Sequence, residues 1–485
     1  MRLSKRAEIL RARASGDLLP RKLNFEPLEV RMLLSINSAG IEEQLLESQG
    51  SVISVTDGWG DAGQPELLGS PRSLLGLPET ENNDTLATAQ PVPLGFDDGE
   101  DFEIDIEGTL AGDSDFFSMM LDAGDIFGAN VSGAGTELTF HRLNPVEILL
   151  IGSTQDSTAL HPNASPLPGG GNAALSWVVD TPGQYFIGVS GGSGDYELNL
   201  RLFRPALEKE DVGTRQTLFL DFDGATLNTP VMGSSAEITL SPFSHYLRRW
   251  GLRTTDEDAL IDTIVETVQE NLSFDVRQFG NNGDYPDSDI PGEFDIKILN
   301  SRDHDDTFGQ SHVSRVIVGG TVDQLGLPVI GFAQSIDVGN FETEETAITL
   351  LDQLSEASTH PNSLNQFTLA PGVSKIDLVG VGVGNIVSRE AGHLFGNWET
   401  DASNGLPNIM DEEGSLANII GLSGPFWGDG DEVDVDFGDD SFASSQGFTG
   451  TENTLNVVSF GLSTGTMGPE LVAINPNTGE VLLDG

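Results

Sequence analysis

Residues 388–401 read Ser388-Arg389-Glu390-Ala391-Gly392-His393-Leu394-Phe395-Gly396-Asn397-Trp398-Glu399-Thr400-Asp401, and Asn408-Ile409-Met410-Asp411 comes shortly after. On a helix, Arg389 and His393 stand one turn apart on the same face, and Glu390 borders it. Gly396 suits a helix end, because glycine enters the left-handed backbone region without steric cost. A base, an acid and an imidazole are thus gathered on one turn, with a second acid, Glu399, just past the break.

The stretch resembles the extended zinc motif of the metzincin metallopeptidases. In that motif His-Glu-x-x-His aims two imidazoles from one helical face at a Zn²⁺ ion, and the Glu is general base on the metal-bound water. A glycine then ends the helix, a third ligand follows three residues later, and a downstream Met-turn supports the site. The resemblance implies Glu390 as base, His393 as zinc ligand, Gly396 as helix break and Met410 as Met-turn. It departs at Arg389, which stands at the first ligand position, and at Glu399, which stands at the third. A carboxylate can ligate zinc, but a guanidinium has no lone pair to offer and stays protonated.

Two readings follow. In one, zinc is held by His393, Glu399 and a third group, with His245, His304, His312 and His360 as the available histidines, and the protein hydrolyses peptide bonds. In the other, an Arg389–Glu399 ion pair, shared with Glu390, fills the zinc position. His393 is then an ordinary hydrogen-bonded histidine, and the protein is a pseudopeptidase acting as a cell-surface binding or structural module.

Upstream, Leu218–Gly224 reads as a strand running into a turn. Residues 256–272 set Leu260, Ile261, Ile264, Val265, Val268 and Leu272 on one helical face, with Thr255 as N-cap. Strands are expected at Phe294–Leu299 and Val316–Val318, an edge strand at Ile330–Ala333, and a second helix over Glu342–Leu354. This order gives an α/β or α+β layer arrangement; the metzincin resemblance, which implies α+β, extends over about residues 214–465.

Residues 79–204 change texture to short alternating strands, such as Phe102–Ile106, Tyr185–Val189 and Tyr196–Leu200, punctuated by Gly, Asp and Pro. Period-2 alternation of this kind predicts an antiparallel β-sandwich. The ordered landmarks Asn83-Asp84-Thr85, Gly108-Thr109-Leu110, Asp113-Ser114-Asp115-Phe116-Phe117, Pro182-Gly183-Gln184-Tyr185 and Gly194-Asp195-Tyr196 resemble the bacterial pre-peptidase C-terminal domain. That resemblance implies a jelly-roll-like accessory module, with Asp84, Asp113 and Asp115 as calcium candidates. A second acidic run, Asp429, Asp431, Asp434 and Asp436 with Asp439 and Asp440, is interleaved with glycines. Its oxygens could serve Ca²⁺ or simply face solvent. Val433 and Val435 suggest a strand there.

The chain has 485 residues, too many for one ordinary core, and no cysteine, which excludes disulfides and thiolate chemistry. Its 76 acidic against 23 basic residues give a net charge of -53, unsuited to a phosphate backbone, so nucleic acid is not an expected partner. No apolar run is long enough to span a membrane. Eight of the basic residues fall within residues 1–31, and Phe25-Glu26-Pro27-Leu28-Glu29-Val30-Arg31-Met32-Leu33-Leu34-Ser35 resembles the LEPR-type segment of exported bacterial surface proteins. The expected organisation is a basic leader over 1–35, a linker over 36–78, the sandwich over 79–204, the metzincin-like domain over 214–465 and a C-terminal hairpin or tail over 466–485. An exported location, a peptide or protein ligand, and zinc and calcium as cofactors complete the expectation.

Overall fold

The computed structural model describes residues 75–93, 101–143, 146–211, 213–228, 237–280, 294–412 and 416–464, with the short paired strands Ala473–Ile474 and Val481–Leu482. The expected leader, and the linker up to residue 74, lie outside the described residues. The described chain is rich in β-structure, spread over several sheets, with a few helices.

The first part is a two-sheet sandwich, as its alternation predicts. Strands β1 (Leu75–Pro78), β2 (Gln90–Pro91), β3 (Phe102–Leu110), β4 (Asp115–Leu121), β5 (Ile126–Gly133), β6 (Glu137–Leu143), β7 (Glu147–Ser153), β8 (Ala173–Val178), β9 (Gly183–Ser190) and β10 (Gly194–Phe203) supply it. One sheet has the order β1-β3-β10-β5-β8. Alternate residues Ile104 and Ile106 of β3, and Leu198, Leu200 and Leu202 of β10, point into the core. There they meet Phe117, Phe140, Tyr185 and Ile187 of the facing sheet. Phe140 stacks between Phe127 at 4.5 Å and Tyr185 at 5.4 Å.

The second part is built on a five-stranded mixed sheet. Its strands are β11 (Gln216–Asp221), β14 (Ile296–Asn300), β15 (Val313–Val318), β16 (Gly331–Ala333) and β17 (Thr346–Thr349), in the order β14-β11-β15-β17-β16; β12 (Thr226–Asn228) and β13 (Glu237–Thr239) form a separate pair. All its neighbours are parallel except the edge strand β16, which runs antiparallel to β17. Two helices, α1 (Glu257–Gln269) and α2 (Lys375–Leu394), pack on each other and share the core with this sheet. Their approach is close because α2 carries glycine where they touch. A Cβ at Gly380 would run into Thr263, and one at Gly384 would lie 2.6 Å from Thr267.

Three sequence expectations are corrected. The helix over Glu342–Leu354 is instead a loop, strand β17 and a short 3₁₀ turn. Thr346, Ile348 and Thr349 are β-branched and fit a buried central strand better than a helix interior. Thr255 does not cap α1. A 3₁₀ turn precedes the helix, and the Asp256 carboxylate accepts the Arg253 N–H at 2.9 Å. Val433 and Val435 do not form a strand: bonds from Val433 N–H to Gly421 O and from Ile409 N–H to Asp436 O hold the segment without a ladder.

The two parts do not separate at the expected bounds of 204 and 214. Strands β18 (Asp439–Ser441) and β19 (Phe448–Asn453) extend the second sandwich sheet to β18-β19-β7-β6-β9-β4-β2, with Phe448–Gly450 pairing Ile151–Ser153. Ile336, Val338, Trp398, Phe442, Val457 and Phe460 belong to the sandwich core. Helix α3 (Thr454–Gly461) follows β19 directly, capped by the Asn453 side chain accepting from Asn456 N–H.

Candidate functional site

Helix α2 is capped by Ser374, whose hydroxyl accepts the Ile376 N–H at 3.1 Å, and runs twenty residues from Lys375 to Leu394. Gly396 then turns the chain with φ +103°, at the position where the sequence places the helix break. No side chain fits there, since a Cβ would lie 2.8 Å from the Val338 Cα. The chain leaving the turn is held on both sides. Thr400 N–H donates to Met410 O at 2.9 Å, and Asp401 N–H donates to Ser441 O at 2.9 Å. Met410 is fully buried beneath α2, and a Cβ on Gly392 would approach its sulfur to 2.7 Å. Turn and helix are therefore matched in shape.

Above Met410, Arg389, Glu390, His393 and Glu399 are all buried. The Arg389 guanidinium donates from Nη1 to Glu390 Oε1 at 2.8 Å and from Nη2 to Glu399 Oε1. The ion pair expected from the complementary departures is thus present, and Glu390 shares it. Gln446 Nε2 approaches Glu399 Oε2 at 3.4 Å, and Gly331 makes room for the Glu390 carboxylate, which a Cβ there would overlap. One cation against two carboxylates leaves a net negative site out of water. Burial pushes Glu399 up to about 7 and Glu390 upward, with Arg389 opposing both shifts. His393 is driven the other way, to about 3, by burial and then by the Arg389 charge. It is a neutral imidazole. Its Nδ1 bonds Asn397 O at 2.9 Å, so the proton sits on Nδ1 and the unpartnered Nε2 carries the lone pair.

Among the described residues, no three His, Asp or Glu side chains form a group that could hold a metal ion. His304 and His312 are bound elsewhere, to Asn300 and to Thr343 Oγ1, and His360 Nδ1 accepts the Asn362 N–H. The residues at the motif do not fit zinc: a guanidinium occupies the first ligand position, and Glu399 is committed to it. In the Asp429–Asp436 run the carboxylates of Glu432 and Asp429 serve local backbone N–H groups. Glu432 accepts the N–H groups of Gly428, Asp429 and Gly430, and Asp429 accepts that of Asp431.

A different acidic cluster is assembled at the edge of the sandwich. Asp115 and Asn83 are completely buried, and Asp115 faces the Tyr196 hydroxyl and the Glu79 carboxyl. Burial, with the charges of Glu79 and Asp113, raises Asp115 to about 7. Desolvation and the neighbours Glu79, Asp84 and Asp113 raise Glu81. Asp84, Asp113 and Asp115 are the residues singled out in the sequence. Glu79, Glu81 and Asn83 join them because the chain between β1 and β2 packs against β4, with Phe116 N–H donating to Asn83 O at 2.9 Å. The alternation Glu79-Thr80-Glu81-Asn82-Asn83-Asp84 was the signal that could have found them.

No family model matches this chain, and no curated protein matches it. Among solved structures it is similar to periplasmic inhibitors of g-type lysozyme. The Aeromonas hydrophila protein is 15% identical, covers 24% of this chain and 96% of its own, and has a TM-score of 0.15. The Salmonella Typhimurium protein is 15% identical, with the same 24% against 99%, and a TM-score of 0.17. Likeness at this level carries no inference about fold or function. No helix among the described residues is long and apolar enough to cross a membrane.

Proposed function

We propose that this protein is an exported, catalytically inactive relative of the metzincin metallopeptidases, acting as a cell-surface module that binds a peptide or protein. The observation that carries this reading is the Arg389 guanidinium bonded to both Glu390 and Glu399. A general base needs a free carboxylate facing a metal-bound water, and here the base position is tied to a cation. The neutral Nδ1-bonded His393, the φ-positive Gly396 and the Met410 support beneath α2 agree with a retained peptidase scaffold. The LEPR-type string supports export, and the acidic body supports a partner other than nucleic acid.

Elemental analysis of the purified full chain after zinc incubation, with hydrolysis of a denatured protein substrate, tests the reading. No retained zinc and no cleavage are expected. About one zinc per chain, lost in His393→Ala, together with cleavage abolished in Glu390→Gln, would overturn it.

A further inference from the structure

The edge strand β16 continues as Gln334-Ser335-Ile336, passing over His393. An edge strand beside a cleft is where an extended peptide adds by main-chain hydrogen bonding. Here that position is taken by the chain itself. Ile336 N–H donates to Leu160 O at 2.8 Å, and Ile336 O bonds His161 Nδ1 at 2.9 Å. Both peptide groups of the residue best placed to receive a ligand are thereby used by residues 160–161, which belong to the sandwich loop between β7 and β8.

The loop is braced for this. Asp156 Oδ1 accepts the Thr158 N–H at 3.0 Å, and Leu160 and His161 N–H groups close the turn onto Ser157 and Thr158. Gln155 Nε2 donates to Gln446 O at 2.7 Å, and the His161 ring packs edge-on to Trp398 at 5.9 Å. Beneath it remains a cavity of about 50 Å³, lined by Ala159, Leu160, Ala333–Ile336 and His393. That volume suits water and no peptide.

We infer that Thr158–His161 is a built-in occupant of the groove along Gln334–Ile336, so that an extended peptide gains this edge only by displacing the sandwich loop. The bonds that support it stand whether or not the site once held a metal. Its identification of the groove as peptide-accepting rests on the proposed scaffold.

The test uses the full chain and diethyl pyrocarbonate, which modifies the neutral imidazole nitrogen, read by mass spectrometry beside hydrogen exchange at Ile336. In the native chain His393 should be at least tenfold less reactive than exposed His304, and the Ile336 amide should be protected. Replacing Thr158–His161 by Gly-Ser-Gly-Ser should raise His393 reactivity at least tenfold and release Ile336; His161→Ala, which keeps the backbone, should move both the same way by less. A synthetic peptide of residues 155–163 should bind the replaced chain, not the native one, and restore Ile336 protection. His393 reacting at the His304 rate in the native chain, or both readouts unchanged by the replacement, would overturn the occupancy. A peptide that leaves Ile336 unprotected would overturn the groove's assignment alone. Bound zinc would overturn the proposed function and leave the occupancy standing.

Discussion

Replacing Arg389 by Leu removes one cation and leaves two carboxylates in a pocket where Glu390 is 0% and Glu399 6% exposed. The guanidinium makes two charge-assisted hydrogen bonds, each worth about 1.5–3 kcal/mol, and removing one partner of a buried pair costs about 3–5 kcal/mol. A loss near 4 kcal/mol is expected at pH 8. The loss should shrink toward about half at pH 5. Without the cation, the folded-state pKa values of Glu390 and Glu399 rise further above their unfolded values. The variant's extra instability therefore grows as the pH climbs through the folded values and is relieved below them. Urea unfolding followed by tryptophan fluorescence reports it, since Trp398 and Trp427 lie in this part of the fold. The double variant Arg389→Leu with Glu399→Leu should recover much of the loss, because apolar replacements of a buried pair are often tolerated. A cost below about 1 kcal/mol at pH 8, or one equal at both pH values, would refute the claim that this pair is the organising contact of the site.

Further outcomes follow from the same geometry. Asp337 and Asp411 are raised by burial to about 7, and Asp125 and Asp221 to about 6, so the folded chain holds protons that the unfolded chain has released. Stability is then fully present below about pH 4 and lost as the pH rises through 6 to 7; in chelator, Tm should be higher at pH 5 than at pH 8, and the reverse order would contradict it. Gly396→Ala should cost more than about 2 kcal/mol by denaturant titration, because it combines φ +103° with an overlap against main chain that cannot withdraw.

Much of the candidate site was legible in the residues themselves. The spacing of Arg389, Glu390 and His393 on one face, the break at Gly396 and the opposite charges of Arg389 and Glu399 depend on helical period, backbone sterics and sign of charge, and all three act locally. The same holds for the sandwich, whose alternation in β3, β9 and β10 follows from side chains pointing to opposite faces of a strand. Where local preference was divided, the residues misled: Glu342–Leu354 has helix-forming ends, but Thr346–Thr349 became a strand because β15 and β16 offered it two ladders in a buried sheet. What the residues could not contain was the pairing of distant edges. That Leu160 and His161 meet Ile336, that Phe448–Gly450 extends the sandwich through β7, and that Glu79, Glu81 and Asn83 gather around Asp115 are decided only when whole sheets have packed. Main-chain hydrogen bonds carry no residue signature, and burial of Asp115 is a property of its surroundings.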